Sequence, residues 1–199
     1  MSVVLTGGGY QLLDCVSALQ KCIRRGLEDQ ALFWAAEIEM KFPDYLWVRL
    51  TAIVNEDIGL ASPATICLVE ALRQQYSFLR AKSRGPSERM ALGNAILAMC
   101  RAEKTRLGDD FQTVIYRRRE FEGWRLDIPD FALDRHTAAG RAKGRGWEHW
   151  ATEGVSLAGE VPGMNPYAEE AHRLRESYGA LPKKVKKGQV HTDPSDSDE

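Results

Sequence analysis

Positive charges and aromatic rings alternate along residues 128–150, which read IPDFALDRHTAAGRAKGRGWEHW. Cations attract a phosphate backbone, and aromatic side chains stack on exposed bases. The candidate contacts to nucleic acid are therefore Arg135, His136, Arg141, Lys143, Arg145 and Trp147. Acidic residues in and beside the segment dilute its charge, so the preferred interpretation is an arm that packs on the protein or binds a partner. Nucleic-acid binding is the alternative.

Two adjacent carboxylates, Glu56 and Asp57, form the second group that could do chemistry. They lie in the stretch NEDIGLASP, residues 55–63, at the predicted end of a helix, where the helix dipole is already negative. They should therefore need a compensating cation. The candidate cations are Arg24, Arg25 and Arg49. Recognition of a partner protein is the alternative role for the pair.

Neither a metal site nor a nucleotide site is expected. A phosphate-binding loop has the pattern GxxxxGK[ST], which neither TGGGY (6–10) nor GRAKGRG (140–146) contains. His136 and His149 are thirteen residues apart, a poor basis for a metal site. No nucleophile has a matched base, so we predict a protein without cofactor or catalysis. An enzyme that uses His136 in the arm is the rival hypothesis.

The bulk composition is that of a soluble globular protein. The 27 basic and 28 acidic residues give a net charge of −1, which indicates neither nucleic acid nor membrane as a partner. No stretch approaches the roughly 18 apolar residues that a membrane span requires, and no signal peptide is apparent, so a cytoplasmic location is expected. The four cysteines are predicted to be reduced and buried. They are Cys15, Cys22, Cys67 and Cys100.

Apolar residues recur at helical spacing over most of the first 120 residues, which predicts an all-α helical bundle. We expect a lead at 1–13, a bundle of six helices at 14–119, an arm with short helices packing on the bundle at 120–181 and a disordered charged tail at 182–199. Asp14 is expected to cap the first helix and Gly26 to end it, and Pro43 should mark the end of the second. Gly59 should end the third helix, and Ser62 should cap the fourth, with Pro63 in its first turn. A last helix is expected to begin at Asn165.

Three stretches of the chain read QKCIRRGLEDQALFWAAE, NEDIGLASP and AEKTR. They resemble the C-terminal helical domain of the RarA/MgsA and Werner-helicase-interacting ATPases. That family belongs to the clamp-loader-like AAA+ proteins, which act at stalled replication forks. Departures from its pattern are Asn55 for serine, Ser62 for aspartate and Glu103 for proline. The last change frees the chain before Lys104, where the family pattern carries a proline.

The resemblance implies a domain that assembles subunits, commonly into tetramers. The fifth helix, near residues 90–100, is apolar almost all round, so it should be central in the bundle or part of an oligomer interface. The candidate interface residues are Phe33, Trp34, Glu56, Asp57, Met90, Ile96 and Met99. The alternative is that the apolar members form one core.

The preferred functional hypothesis is a non-catalytic, oligomerising adaptor of DNA replication or repair. It would partner a clamp-loader-like ATPase, a single-strand-binding protein or DNA. Since the family's ATPase domain is not recognisable in the chain, any ATP hydrolysis is expected to belong to the partner. The rival is a protein that binds or processes nucleic acid through the arm.

Overall fold

A computed structural model describes residues 3–82 and 86–178 and confirms the all-α prediction. The helices are α1 (Leu12–Arg25), α2 (Glu28–Glu39), α3 (Pro43–Ile53), α4 (Pro63–Lys82), α5 (Glu88–Arg101), α6 (Leu107–Phe121), α7 (Ala138–Ala142), α8 (Trp147–His149) and α9 (Ala168–Tyr178). None of these helices is both long and apolar enough to cross a bilayer. The tail predicted at 182–199 lies outside the described residues.

Helix α5 is at the centre of the core, packed against α1, α2 and α4. This confirms one of the two expectations for its apolar surface, because six of its side chains are buried. They are Ala91, Leu92, Ala95, Ile96, Met99 and Cys100. Helix α1 contributes a second buried stripe of residues spaced at three and four positions, as an amphipathic helix must. It ends, as predicted, at Gly26, whose φ of 68° and ψ of 25° are left-handed.

The predicted lead is a folded part of this unit. Leu5 pairs with Gln11 in an isolated antiparallel bridge, and the turn between them lies on α2. The Thr6 hydroxyl and the Gly8 N–H both donate to Oε2 of Glu37, at 3.0 and 3.1 Å. Thr6 and Gly8 of TGGGY thus hold a carboxylate of the protein itself.

The start of α1 corrects one expectation. The helix begins at Leu12, and Asp14 lies inside its first turn rather than at the cap. The helix starts two residues before Asp14 because of the bridge between Leu5 and Gln11. Beside it, the Leu12 N–H donates to the Val4 carbonyl at 2.9 Å. Asp14 still stabilises this end through its charge beside the helix dipole.

The NEDIGLASP junction is more irregular than predicted. Helix α3 continues as a π-helical segment, Val54–Ile58, and a 3₁₀ turn, Gly59–Ala61, leads to α4. Gly59 has φ 49° and ψ −133°, so it reverses the chain as expected but outside the left-handed helical region. The Ser62 hydroxyl bonds the Thr65 hydroxyl at 2.8 Å instead of capping the backbone. Competition from Thr65 explains why that prediction is wrong.

Helix α6 differs from the other long helices of the bundle because none of its residues is buried. It packs against the π-helical segment and the 3₁₀ turn of the junction. Its apolar side chains therefore remain largely in solvent.

The chain divides into two compact units, Met1–Leu126 and Asp127–Glu199. The second unit is more helical than the predicted arm, because Thr137 caps α7 by accepting a hydrogen bond from the Gly140 N–H at 2.9 Å. Helix α8 continues as a π-helical segment, Trp150–Gly154. Helix α9 starts three residues later than the predicted Asn165, whose side chain accepts from the Tyr167 N–H in a turn.

The cysteines are free thiols, and Cys15, Cys22 and Cys100 are buried as predicted. Cys67 is exposed, which corrects the expectation for that residue. The difference follows from the helix face, since the buried residues of α4 are Thr65, Val69, Leu72 and Tyr76. Burial raises the pKa of the Cys100 thiol to about 11, so this thiol stays protonated and unreactive at neutral pH.

Candidate functional site

The acidic junction is the centre of a charged cluster that joins three parts of the bundle. The side chain of Asp57 is 2% exposed and accepts from Arg24 Nε at 2.8 Å, Arg106 Nη1 at 2.9 Å and Gln20 Nε2 at 3.0 Å. Glu56 accepts from the same three side chains, each at 3.0 Å. We call these five residues the carboxylate cluster. It links α1, the π-helical segment and the start of α6.

The cluster confirms one of the three cations expected from the sequence. Arg24 pairs with both carboxylates, whereas Arg25 donates to the Lys21 carbonyl at 3.0 Å. Arg49 reaches the cluster indirectly, through Gln20 Oε1 at 3.5 Å. Sequence reasoning missed Arg106, which stands 49 residues after Asp57. The AEKTR motif contains it, but no local spacing rule points from there to the junction.

The electrostatics of the cluster favour the charged form of Glu56. Partial burial acts to raise its pKa, but the hydrogen bonds from Arg106 and Gln20 and the attraction of the two guanidinium groups outweigh burial. The pKa of Glu56 is therefore below its ordinary value. A partly buried carboxylate that is paired and hydrogen-bonded in this way holds structure together and is a poor proton donor or acceptor.

The AEKTR segment anchors α6 to the junction. Lys104 Nζ donates to the carbonyls of Cys100 and Ala102, at 2.8 and 2.9 Å, and so satisfies the end of α5. The Thr105 N–H donates to the Asp57 carbonyl at 3.0 Å, and its hydroxyl accepts from the Leu107 N–H. Replacement of the family's proline by Glu103 leaves Lys104 in this capping role.

The apolar interface candidates separate into surface and core. Phe33 is 51% exposed and Met90 is 68% exposed, while Trp34 is half-buried against Tyr10 and Phe33. Ile96 and Met99 are completely buried. This corrects the prediction that Ile96 and Met99 belong to an interface, because both side chains face inward from α5 and form part of the bundle core.

A groove runs between α2 and α5 beside Phe33. Its volume is about 350 Å³, and its walls include Leu32, Phe33 and Ala36 from α2, Met40 directly after α2, and Leu92 from α5. Glu37, Glu39 and Arg89 provide its polar residues. Leu32 and Met40 are 41% and 66% exposed, so the apolar wall opens to solvent. We call this feature the α2–α5 groove.

The cations of the arm are engaged within the second unit. Lys143 Nζ pairs with Asp130 at 2.7 Å, and Arg145 pairs with the same carboxylate. Hydrogen bonds from Lys143 and then Arg145 lower the pKa of Asp130 to about 2. Arg141 Nη1 donates to the carbonyls of Arg135 and His136, at 3.2 and 3.0 Å. These bonds fold the arm, and they compete with any phosphate for the same donors.

The remaining arm candidates form an aromatic cluster. The rings of Trp147 and Trp150 lie 4.4 Å apart between centroids, with Arg135 over Trp147 at 5.6 Å. His136 Nδ1 contacts the Asp134 carboxylate at 2.9 Å, which lowers the pKa of Asp134. His136 is thus oriented by a carboxylate, but no nucleophile stands beside it among the contacts of the described residues.

Within residues 3–82 and 86–178, no three histidine, cysteine or acidic side chains come close enough to hold a metal ion. The glycine stretch at 6–10 contacts Glu37, as described above, and Gly140 of the stretch at 140–146 packs against the backbone of Leu133 and Asp134. An added Cβ at Gly140 would lie 1.9 Å from the Asp134 carbonyl oxygen, so this glycine is needed for close packing.

Comparison with known proteins shows similarity to proteins named replication-associated recombination protein A. The chain is 31% identical over 131 residues to replication-associated recombination protein A of Haemophilus influenzae, covering 64% of this chain and 27% of the relative. It is 30% identical over 145 residues to the protein of the same name from Escherichia coli, covering 71% of this chain and 31% of the relative.

The matched region spans less than a third of the length of these relatives. No family model matches the chain. The similarity nevertheless agrees with the three motifs and with the helical bundle that they predicted. This chain therefore contains a RarA-like domain.

Proposed function

We propose that the protein is a non-catalytic adaptor of DNA replication or recombination that assembles through its helical bundle. The observation that carries the proposal is the exposed apolar wall of the α2–α5 groove, where Phe33 and Met40 are each at least half exposed and Leu32 is 41% exposed. Contiguous exposed apolar side chains of this kind mark protein-binding surfaces. Exposed methionines suit such a surface because their flexible side chains adapt to a partner.

The process in which the adaptor acts is inferred from the names of its relatives. Their name associates them with replication and recombination, and the region that they share with this chain is less than a third of their length. A chain with a RarA-like domain suits a role beside a protein of that group. In this proposal the partner is a clamp-loader-like ATPase that shares the domain.

The partner is tested with a purified relative. Full-length replication-associated recombination protein A from Escherichia coli is immobilised, and this chain is added in a concentration series. We expect saturable binding, weakened at least tenfold by Phe33→Glu. Phe78→Glu is the matched control, because Phe78 is a 64% exposed phenylalanine on α4. Absence of binding, or equal binding by both variants, rejects the shared-domain partnership.

Nucleic-acid binding by the arm remains the alternative prediction. Its candidate cations already have partners in Asp130, Asp134 and backbone carbonyls. If the arm binds a phosphate backbone, a labelled single strand should bind with an affinity that falls steeply with salt. The triple variant Arg141→Ala, Lys143→Ala, Arg145→Ala should then lose that binding. Salt-independent or absent binding of the wild type rejects this alternative.

A further inference from the structure

Helix α6 presents an unusual surface. Leu107, Phe111, Val114 and Phe121 are 58%, 66%, 47% and 71% exposed. Their spacing of four, three and seven residues places them in one stripe along the helix, since an α-helix turns once in 3.6 residues. A short amphipathic stripe with anchors at positions i, i+4 and i+7 is the form in which helices dock into apolar grooves.

The α2–α5 groove has the complementary character. Its opening is lined by Leu32, Phe33 and Met40, which are all exposed, over a floor that includes the buried Leu92. A volume of about 350 Å³ is near the lower limit of ligand pockets. An apolar groove of this size suits the side chains of one helix.

The charges along the two surfaces are also complementary. Arg118 continues the stripe of α6 beyond Val114; its side chain is 54% exposed and lies 3.9 Å from Glu122. Glu37 lines the groove and accepts hydrogen bonds from Thr6 and Gly8 on Oε2. A carboxylate can accept from several donors, so Glu37 can also pair with an incoming guanidinium.

From these observations we infer that α6 of one copy docks into the α2–α5 groove of a second copy. This inference rests on the proposed assembly and specifies its contact. The two surfaces lie on different parts of one chain, so the contact is heterologous and each copy offers one helix and one groove. Such contacts repeat from copy to copy and form a ring where the rotation between copies closes, or an open filament where it does not. The carboxylate cluster holds the start of α6 through Arg106, which keeps the helix in position to dock.

A mixing experiment tests this contact by sedimentation velocity at equal total concentration. Phe111→Glu disables the helix and leaves the groove intact, whereas Leu32→Glu does the reverse. Each variant alone should be monomeric. Their equimolar mixture should regain one contact and sediment with twice the monomer mass, because an intact helix then meets an intact groove. The heterodimer cannot grow, since its remaining surfaces are the disabled ones.

Matched controls are available on the same elements. Tyr116 is 56% exposed and lies nine residues after Leu107, about two and a half turns, so Tyr116→Glu changes the opposite side of α6. Leu68→Glu on α4 matches Leu32→Glu in residue type and exposure. Both controls should assemble like the wild type, and circular dichroism should show an unchanged helix content in all four variants.

The outcomes separate two failures. If the wild type is monomeric at every concentration, the proposed assembly fails and this contact with it. If the wild type assembles but Phe111→Glu assembles equally well, or the mixture of the two variants remains monomeric, only the docking of α6 into the groove is overturned. Assembly of the mixture to twice the monomer mass supports the heterologous contact against a symmetric one between two α6 helices.

Discussion

The carboxylate cluster shows how single residues stabilise this bundle. Asp57 is almost completely buried, yet it has hydrogen bonds from two arginines and a glutamine. The cost of removing its charge from water is offset only while these partners remain in place. Arg24 and Arg106 are one third or more exposed, so they keep part of their hydration.

Asp57→Asn should therefore destabilise the protein by roughly 3 kcal/mol, because it removes one charge from a buried ion pair while its arginines remain. Urea unfolding at neutral pH measures the change. Asp44→Asn is the control, since Asp44 is fully exposed and its distance to Arg80 is 3.7 Å. This control should change the free energy of unfolding by less than about 0.5 kcal/mol. Equal effects would contradict the bracing role of the cluster.

A second residue-scale prediction concerns Asp130 in the arm. Its pKa of about 2 lies below the value near 3.9 that is ordinary for an unfolded aspartate. The charged Asp130 therefore contributes fully to the stability of the arm above about pH 3.9, and this contribution is lost as the pH falls through about 2. Carboxyl carbon NMR should give a midpoint near 2.

The variant Lys143→Met with Arg145→Met should raise this midpoint toward 3.9, because it removes both hydrogen-bond donors. Arg141→Met is the control, since Arg141 donates to backbone carbonyls instead. If the double change leaves the midpoint unaffected, Lys143 and Arg145 do not pair with Asp130. Both cations would then be available to bind phosphate.

At the scale of elements, prediction from sequence succeeded where the signal is local. Gly26, Pro43 and Pro63 mark helix ends by their own backbone preferences, and the helices begin and end beside them. Prediction failed where a residue distant in the sequence determines the local structure. The bridge between Leu5 and Gln11 moved the start of α1, and Arg106 crosses half the bundle to reach Asp57. Such pairings depend on the packed structure and have no sequence period.

Gly59 allows an element-scale test. Its positive φ with strongly negative ψ is accessible to glycine and costly for other residues. Gly59→Ala should destabilise the protein by about 1–3 kcal/mol, although the nearest atom to an added Cβ, Thr105 Cγ2, is 3.9 Å away. Gly93→Ala is the opposite control, because Gly93 is inside α5 and an added Cβ there meets no atom within 4 Å.

The Gly93→Ala change should leave stability unchanged or increase it by up to about 1 kcal/mol, since alanine favours the helix. Thermal unfolding of the two variants measures the contrast. A neutral Gly59→Ala would mean that the junction can reverse direction without the strained backbone, and would weaken the case for NEDIGLASP as a fixed element of the domain.

For the whole molecule, the fold class and the RarA-like character were accessible from the sequence because they rest on helical periodicity and three contiguous motifs. The sequence did not show which apolar residues face solvent. Helix α5 is apolar on nearly every side, so its sequence does not distinguish the exposed Met90 from the buried Ile96 and Met99. Only the packing of α1, α2 and α4 around it makes that choice.

The central claim is that this domain assembles through its exposed apolar surface. Sedimentation equilibrium of the wild-type chain over a concentration series tests it most directly. We predict masses that rise from the 22.3 kDa monomer to a discrete multiple, with a tetramer expected from the family resemblance. Phe33→Glu should shift this equilibrium toward the monomer. A mass that stays at 22.3 kDa over the whole series would contradict the proposal.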